Sequence, residues 1–288
     1  MRGGSFVTKS KSLASPIGFM SGSTIKIIAC ILMCIDHMGL LLFPGQMIYR
    51  VIGRLAFPLF AFFMAEGSKY SRKNLRRFLL LFSFGMAYLG VYYVVAGDIY
   101  ASIFLTFSIS VALNALIDVL KKWVFTEFSV VKCVVSVLTV ALAVFGIWQL
   151  CNLILFDYGF IGAMIPVAIN MFTFKGDYAS ERLKSLDIYS VRLLILLLGL
   201  IVFSIKNIAF VVEIFGITFP LQFFSVVSVV LLLFYNGRVG NKHLKYFFYI
   251  FYPSHIVVLE IIAIIISVFY AYTGTFMISV SDFLTAII

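Results

Sequence analysis

Charge is what this chain has least of. Only 12 of its 288 residues are acidic and 22 basic, 12% together, where soluble domains carry about 25%. With 63% hydrophobic residues, one water-soluble core cannot hide the apolar surface. A soluble globular fold is excluded, and an integral membrane protein follows. Cysteine is scarce too: Cys30, Cys34, Cys133 and Cys151 all lie inside apolar runs. No Cys-x-x-Cys or Cys/His spacing accompanies them, so they read as small buried hydrophobes and no metal is expected. Cys30 and Cys34 stand one helical turn apart, a poor geometry for a disulfide. Gly-x-Ser-x-Gly, His-Glu-x-x-His, Walker A and Rossmann patterns are all missing, which removes the enzyme classes they define. There is no soluble domain, low-complexity linker or clear repeat.

Long apolar runs are what the chain has instead. Windows of spanning length fall at about 24–44, 47–67, 76–96, 101–120, 130–152, 158–174, 190–206, 217–235 and 246–270, since a helix needs about 20 apolar residues to cross a bilayer. They predict an all-α, polytopic transmembrane helix bundle of about nine to ten helices. Residues 1–23 form a polar, basic segment before it, and 271–288 a tail or short tenth segment. No small-residue cleavage site follows the first run, so that run reads as an uncleaved anchor. The basic residues sit between the runs. With the N-terminus inside, inner segments hold 19 of the 22 Lys and Arg, leaving Arg50, Arg54 and Lys206 outside. That bias predicts a cytoplasmic N-terminus in the cell inner (plasma) membrane. It also turns the net charge of +10 from a nucleic-acid signal into a topology signal, so no nucleic acid partner is expected.

Polar residues inside such runs are costly and tend to mark a site or pathway. Asp36 and His37 stand side by side in "IKIIACILMCIDHMGLLLFP". Arg54 follows in "GRLAFPLFAFFMAEG", with Arg50 one turn before it. His255 and Glu260 lie in "FYIFYPSHIVVLE", just after Pro253, which is expected to kink the helix. A single such residue is as easily a helix–helix bond as a site. Two histidines, an aspartate and an arginine together favour a site. Asp98 and Asp157 read as solvated or capping residues. Histidine is the usual general base near neutral pH, and Arg54 is suited to stabilise a developing oxyanion. Adjacent helical positions point about 100° apart, so Asp36 is expected to orient His255, Arg54 or a substrate amine rather than His37. Acid–base group transfer and proton-coupled transport both fit these residues.

The same stretches carry a resemblance. "IKIIACILMCIDHMGLLLFP" and "YRVIGRLAFPLFAFFMAEG", then "IFLTFSISVALNAL", "DYGFIGAMIPVAI" and "LFYNGRVGNKHLKYFFYIFYPSHIVVL", resemble the TraX family in order from about 24 to 262. The family is named for a protein that acetylates F-type conjugative pilin. The resemblance implies a membrane acetyltransferase that uses cytosolic acetyl-CoA. Its histidines map to His37 and His255, its aspartate to Asp36 and its arginine to Arg54. The implied acceptor is an amine or hydroxyl of a pilin N-terminus or another cell-envelope molecule. Two basic loops, with Arg72, Lys73, Arg76 and Arg77 in one and Arg238 in the other, are placed to receive the cofactor's phosphates. A proton-coupled transporter and a non-catalytic pilus-assembly partner are the rival readings.

Overall fold

The computed structural model describes residue 15 and residues 17–70, 74–175, 178–207, 211–214 and 216–273. It is an all-α, multi-pass membrane bundle. The first helix, α1 (Gly22–Leu41), begins at Ser21, whose side chain accepts from the Thr24 amide, the usual relief for an unpaired first-turn donor. Two more first-turn donors are satisfied from far along the chain. The amides of Gly22 and Ser23 donate to the carbonyls of Arg238 and Val239 at 2.8 and 3.0 Å. The "YNGRVGN" stretch thus caps α1 and ties it to the helix that follows that stretch.

The next apolar run is one 23-residue pass, Met47–Lys69, but it is not one helix. It divides into α2 (Met47–Gly53) and α3 (Ala56–Tyr70), with Arg54 and Leu55 in a turn between them. Pro58 gives the reason. It has no amide hydrogen for the carbonyl of Arg54, and its ring crowds that carbonyl. Three long helices follow: α4 (Asn74–Ala96), α5 (Ile103–Thr126) and α6 (Val130–Leu153). A two-residue parallel pair, β1 (Tyr100–Ala101) on β2 (Leu155–Phe156), joins the loops before α5 and after α6. Then come α7 (Gly159–Ile169), α8 (Glu181–Lys184), α9 (Tyr189–Lys206) and an antiparallel hairpin, β3 (Val211–Ile214) and β4 (Ile217–Pro220). A 3₁₀ turn at Leu221–Val227 leads into α10 (Ser228–Leu233), and α11 (Lys245–Thr273) is the last element among the described residues.

Among the described residues, seven passes are long and apolar enough to cross a membrane. Two expected windows differ. The window at 158–174 shortens to α7, whose 11 residues cover only about 16 Å of a hydrocarbon core about 30 Å thick. That at 217–235 starts as a strand and tightens into 3₁₀ before α10. At Pro253, where a kink or broken turn is expected, the helix is not broken: α11 continues through it. Residues 274–288 and most of 1–23 lie outside the described residues. In the core, Phe57, Leu59, Phe62, Ile169, Leu196 and Leu232 from α3, α7, α9 and α10 form one cluster. Helix α6 has no buried residue, and its apolar surface suits lipid.

One buried ion pair locks this core. Arg192 of α9, 2% exposed, meets Glu66 of α3, 5% exposed, at 2.5 Å. The Arg192 guanidinium also covers the Phe62 ring at 5.3 Å, and Lys69 pairs with Asp187 beside it. Removing one partner of such a pair leaves a bare charge in a low dielectric, at a cost of about 3–5 kcal/mol. Glu66→Ala should therefore lower stability by that amount in detergent-based thermal unfolding. The double variant Glu66→Leu/Arg192→Met should recover most of it. A Glu66→Ala protein that melts like the parent would show that the pair does not hold α3 to α9.

Candidate functional site

The site grows from the close contact of α1 with α2. A Cβ built on Gly53 would lie 2.2 Å from the Asp36 Cβ, and one on Gly39 would lie 2.4 Å from the Tyr49 Cβ. Glycine at both positions is what lets the helices touch. Touching, they bring Asp36 between two arginines. Arg50 Nη1 donates to Asp36 Oδ2 at 2.9 Å and to the Asp36 carbonyl at 3.3 Å. Arg54 Nη2 lies 3.4 Å from Oδ1. Asp36 and Arg54 are 9% and 8% exposed. The pairing answers why ionised groups persist here: each charge has an opposite charge in contact. Among the described residues, no hydrogen bond or ion pair joins Asp36 to His255.

His37, a step of about 100° around α1, faces the other way, toward α11. Its Nδ1 lies 3.2 Å from His255 Nε2, and the rings meet edge to face at 4.9 Å. His255 Nδ1 lies 2.9 Å from the Phe251 carbonyl, and His37 Nδ1 lies 2.9 Å from that of Met33. Carbonyls only accept, so both Nδ1 atoms carry hydrogen in the neutral pair. His255 Nε2 is then a bare acceptor that shares the single His37 Nδ1–H with the Met33 carbonyl, and His37 keeps a lone pair on Nε2. The pair is a two-ring relay that can take a proton at His37.

Two cavities meet beside this relay. The first, about 130 Å³, is polar and lined by Asp36, His37, Arg50, Arg54, Asp157 and Glu260, with Tyr88, Tyr100, Tyr158 and Tyr252. The second, about 430 Å³, is largely apolar and runs toward the end of the bundle where α3 meets α4. Met33, Phe60, Ile103 and Tyr252 line both. Met33 is one turn before His37, and Tyr252 one turn before His255. The second cavity's lining holds two cations, Lys26 and Arg77, and no carboxylate. Lys26 Nζ sits over the Phe63 and Phe248 rings at 5.0 and 5.7 Å. Arg77 folds inward onto the Met64 carbonyl and Ser68 hydroxyl.

Of the residues expected to form the site, His37, His255, Asp36 and Arg54 come together. Of the basic loop residues, Arg77 lines the second cavity, whereas Arg76 and Arg238 are exposed and line neither. Arg72 and Lys73 lie outside the described residues.

Sequence reasoning passed over three lining residues. Arg50 was visible only as a neighbour of Arg54, and Lys26 only as a topology charge. Asp157, taken for a solvated or capping residue, is partly buried in the polar cavity. Burial pushes its carboxyl up to about 6, against the pull of Arg54 and a hydrogen bond from the Tyr100 hydroxyl. Its neighbour Tyr158 is left-handed, φ 60°, a strain of about 1–3 kcal/mol for a non-glycine residue.

Comparison with known proteins now has geometry to attach to. Residues 21–263 match the TraX protein family. The chain belongs to the TraX family. The matched region spans α1 to most of α11, and so includes the arginine-bound aspartate, the histidine pair and both cavities. An uncharacterized protein of Rickettsia prowazekii (strain Madrid E) is 54% identical over 39 residues, 14% of this chain and 16% of that protein. The matched segment is thus about a sixth of that relative's length. No solved structure matches.

In this TraX-family chain the contact of α1 with α2 is directly testable. A methyl at Gly53 cannot fit against Asp36 without moving α1. Gly53→Ala should cost about 1–3 kcal/mol, the usual penalty for overfilling a packed contact, in thermal unfolding. Gly90→Ala, with nothing within 4 Å of its built Cβ, should cost no more than a few tenths. Equal melting of the two variants would show that the helices are not held at this spacing.

Proposed function

We propose that the chain is a membrane acetyltransferase, moving an acetyl group from cytosolic acetyl-CoA to an acceptor amine or hydroxyl at the opposite face. The observation that carries this reading is the histidine relay at the junction of two unlike cavities. The apolar cavity suits a slender donor arm, and Lys26 and Arg77 suit phosphates at its mouth. Lys26 and His37 are 11 positions apart on α1, about 16 Å of helix rise. A donor headed by anionic phosphates and reaching inward on a narrow chain, as acetyl-CoA does, matches that span. The thioester supplies an activated acetyl carbon.

In this reading His37 takes the proton of the attacking nucleophile and shares it with His255. Arg54 holds the developing oxyanion. Its Nε is buried with no hydrogen-bond partner among the described residues, a donor left over after Asp36 is served. Asp36 holds both arginines aimed at the cavity. The acceptor is a pilin N-terminus or another cell-envelope molecule, in keeping with the family. The rival from another class is a proton-coupled carrier, favoured by the same pair of cavities facing opposite ends.

Purified protein with labelled acetyl-CoA separates the two. Thioester consumption supports the transferase; solute counterflow with the thioester intact supports the carrier. His37→Ala should lower transfer at least about a hundredfold, the low end for loss of a general base, with normal protein levels in the membrane. Full transfer by that variant would make His37 structural.

The reading also requires the basic end to face the cytosol, with the N-terminus inside. Five basic residues between Lys69 and Arg77 are the strongest inside signal in the chain. A cysteine replacing Ser71 should resist impermeant thiol reagents in intact cells and react once the membrane is opened. Labelling in intact cells would reverse the orientation.

A further inference from the structure

We infer that Tyr252 is a catalytic residue of the acyl transfer, its hydroxyl handing a proton to the departing sulfur of the donor. The inference rests on the acyl-transfer reading above and deepens it, whatever the nucleophile. In that reading the donor's sulfur stays with its arm in the apolar cavity, while the nucleophile gives its proton to His37 in the polar one. His37 lines the polar cavity and not the apolar one, and His255 lines neither. The proton is thus gained on one side of the junction and needed on the other. A thiolate set free unprotonated among apolar side chains is costly.

Four of the described residues line both cavities: Met33, Phe60, Ile103 and Tyr252. Of these four, Tyr252 alone carries an exchangeable proton. It is 8% exposed, and its hydroxyl makes no hydrogen bond among the described residues. Buried tyrosine hydroxyls usually find a partner. Tyr189 shows the usual case, donating to the Leu232 carbonyl at 2.5 Å. The Tyr252 hydroxyl is left for what enters the cavities.

The ring is fixed where this role needs it. Phe104 of α5 meets it edge to face, with centroids 4.6 Å apart. Tyr252 and His255 stand three positions apart on one face of α11, and their rings meet at 5.7 Å. His255 in turn contacts His37 across the helix interface. His37 and Tyr252 both line the polar cavity, so a proton can return from one to the other there, directly or through one water. Tyr252 then delivers it on the side that His37 does not reach.

The step balances. The nucleophile's proton goes to His37 Nε2, and its lone pair attacks the thioester carbon. The tetrahedral centre then collapses. The C–S bond breaks, its electron pair stays on sulfur, and the Tyr252 O–H proton moves to that sulfur. The phenolate left behind takes the proton held at His37. The acyl group ends on the nucleophile, the carrier leaves as a thiol, and both side chains are as they began.

The test uses the full-length protein in detergent with two donors, acetyl-CoA and its analogue with selenium in place of the thioester sulfur. The nucleophile probe is glycylglycine amide, with water competing. Release of thiol or selenol is the readout, and it does not depend on which nucleophile wins. A selenolate is a much weaker base than a thiolate and leaves without a proton. Tyr252→Phe keeps the ring against Phe104 and removes only the hydroxyl. It should slow thiol release about a hundredfold or more, the low end for loss of a general acid, with the KM for acetyl-CoA unchanged. Selenol release should be nearly that of the parent. His37→Ala should slow both donors, because the nucleophile still has to lose its proton. A Tyr252→Phe protein that slows both donors alike, or neither, overturns the inference. So does a parent that itself prefers the selenoester by about a hundredfold, the gain expected where no general acid serves the sulfur; that result needs no variant to fold. A parent that releases neither thiol nor selenol brings down the acyl-transfer reading itself, and this assignment with it.

Discussion

One carboxylate facing two guanidiniums organises one half of this molecule. A carboxylate such as Asp36, in the middle of an apolar helix, is costly without a partner. Arg50 and Arg54 supply two, and they reach it only because Gly53 and Gly39 let α2 lie directly against α1. The break ahead of Pro58 leaves Arg54 in a turn that closes α2, its amide on the Arg50 carbonyl at 3.1 Å. With Asp36 committed to α2, the next residue on α1 is turned toward α11. The histidine relay is thus a consequence of the ion pair: the same helix face cannot serve both.

The second organising pair lies at the other end. Glu66 and Arg192 fasten α3 to α9, and Lys69 with Asp187 extends the network. Glu66 and Arg192 line neither cavity. The polar cavity is small and the apolar one about three times larger. Under the acyl-transfer reading proposed above, that asymmetry suits a bulky donor arm in the larger cavity and a short transferred group beside His37.

The fold and part of the site were legible in the sequence, because both depend on local cost. Hydrocarbon tolerates neither unpaired backbone groups nor stray charges, so apolar runs of about 20 residues mark the long helices. By the same logic Asp36, His37, Arg54 and His255 stand out against their surroundings. Where tertiary packing supplies what the bilayer would otherwise demand, the local rule weakens. The windows at 158–174 and 217–235 are shorter or irregular because other helices cover them and meet their backbone groups. Lys121 of α5, for example, donates to the Met171 and Thr173 carbonyls just past α7 at 2.7 and 2.8 Å.

Composition and spacing by themselves determined that this is a helical membrane protein and that a handful of buried polar residues matter. They also carried the family resemblance, since its motifs are short and contiguous. Tertiary structure alone decided which polar residues meet. His37 and His255 are 218 positions apart, and the two arginines, not a histidine, take Asp36. Asp157 reads as an ordinary loop aspartate until Ala101, Thr106 and a left-handed Tyr158 hold it over the cavity. Lys26 looks like a topology charge until it is found lining an apolar cavity. The physical reason is one of range. Hydropathy and helical period are sums over neighbours in sequence, whereas burial, pairing and pKa depend on groups that only folding brings within a few ångströms.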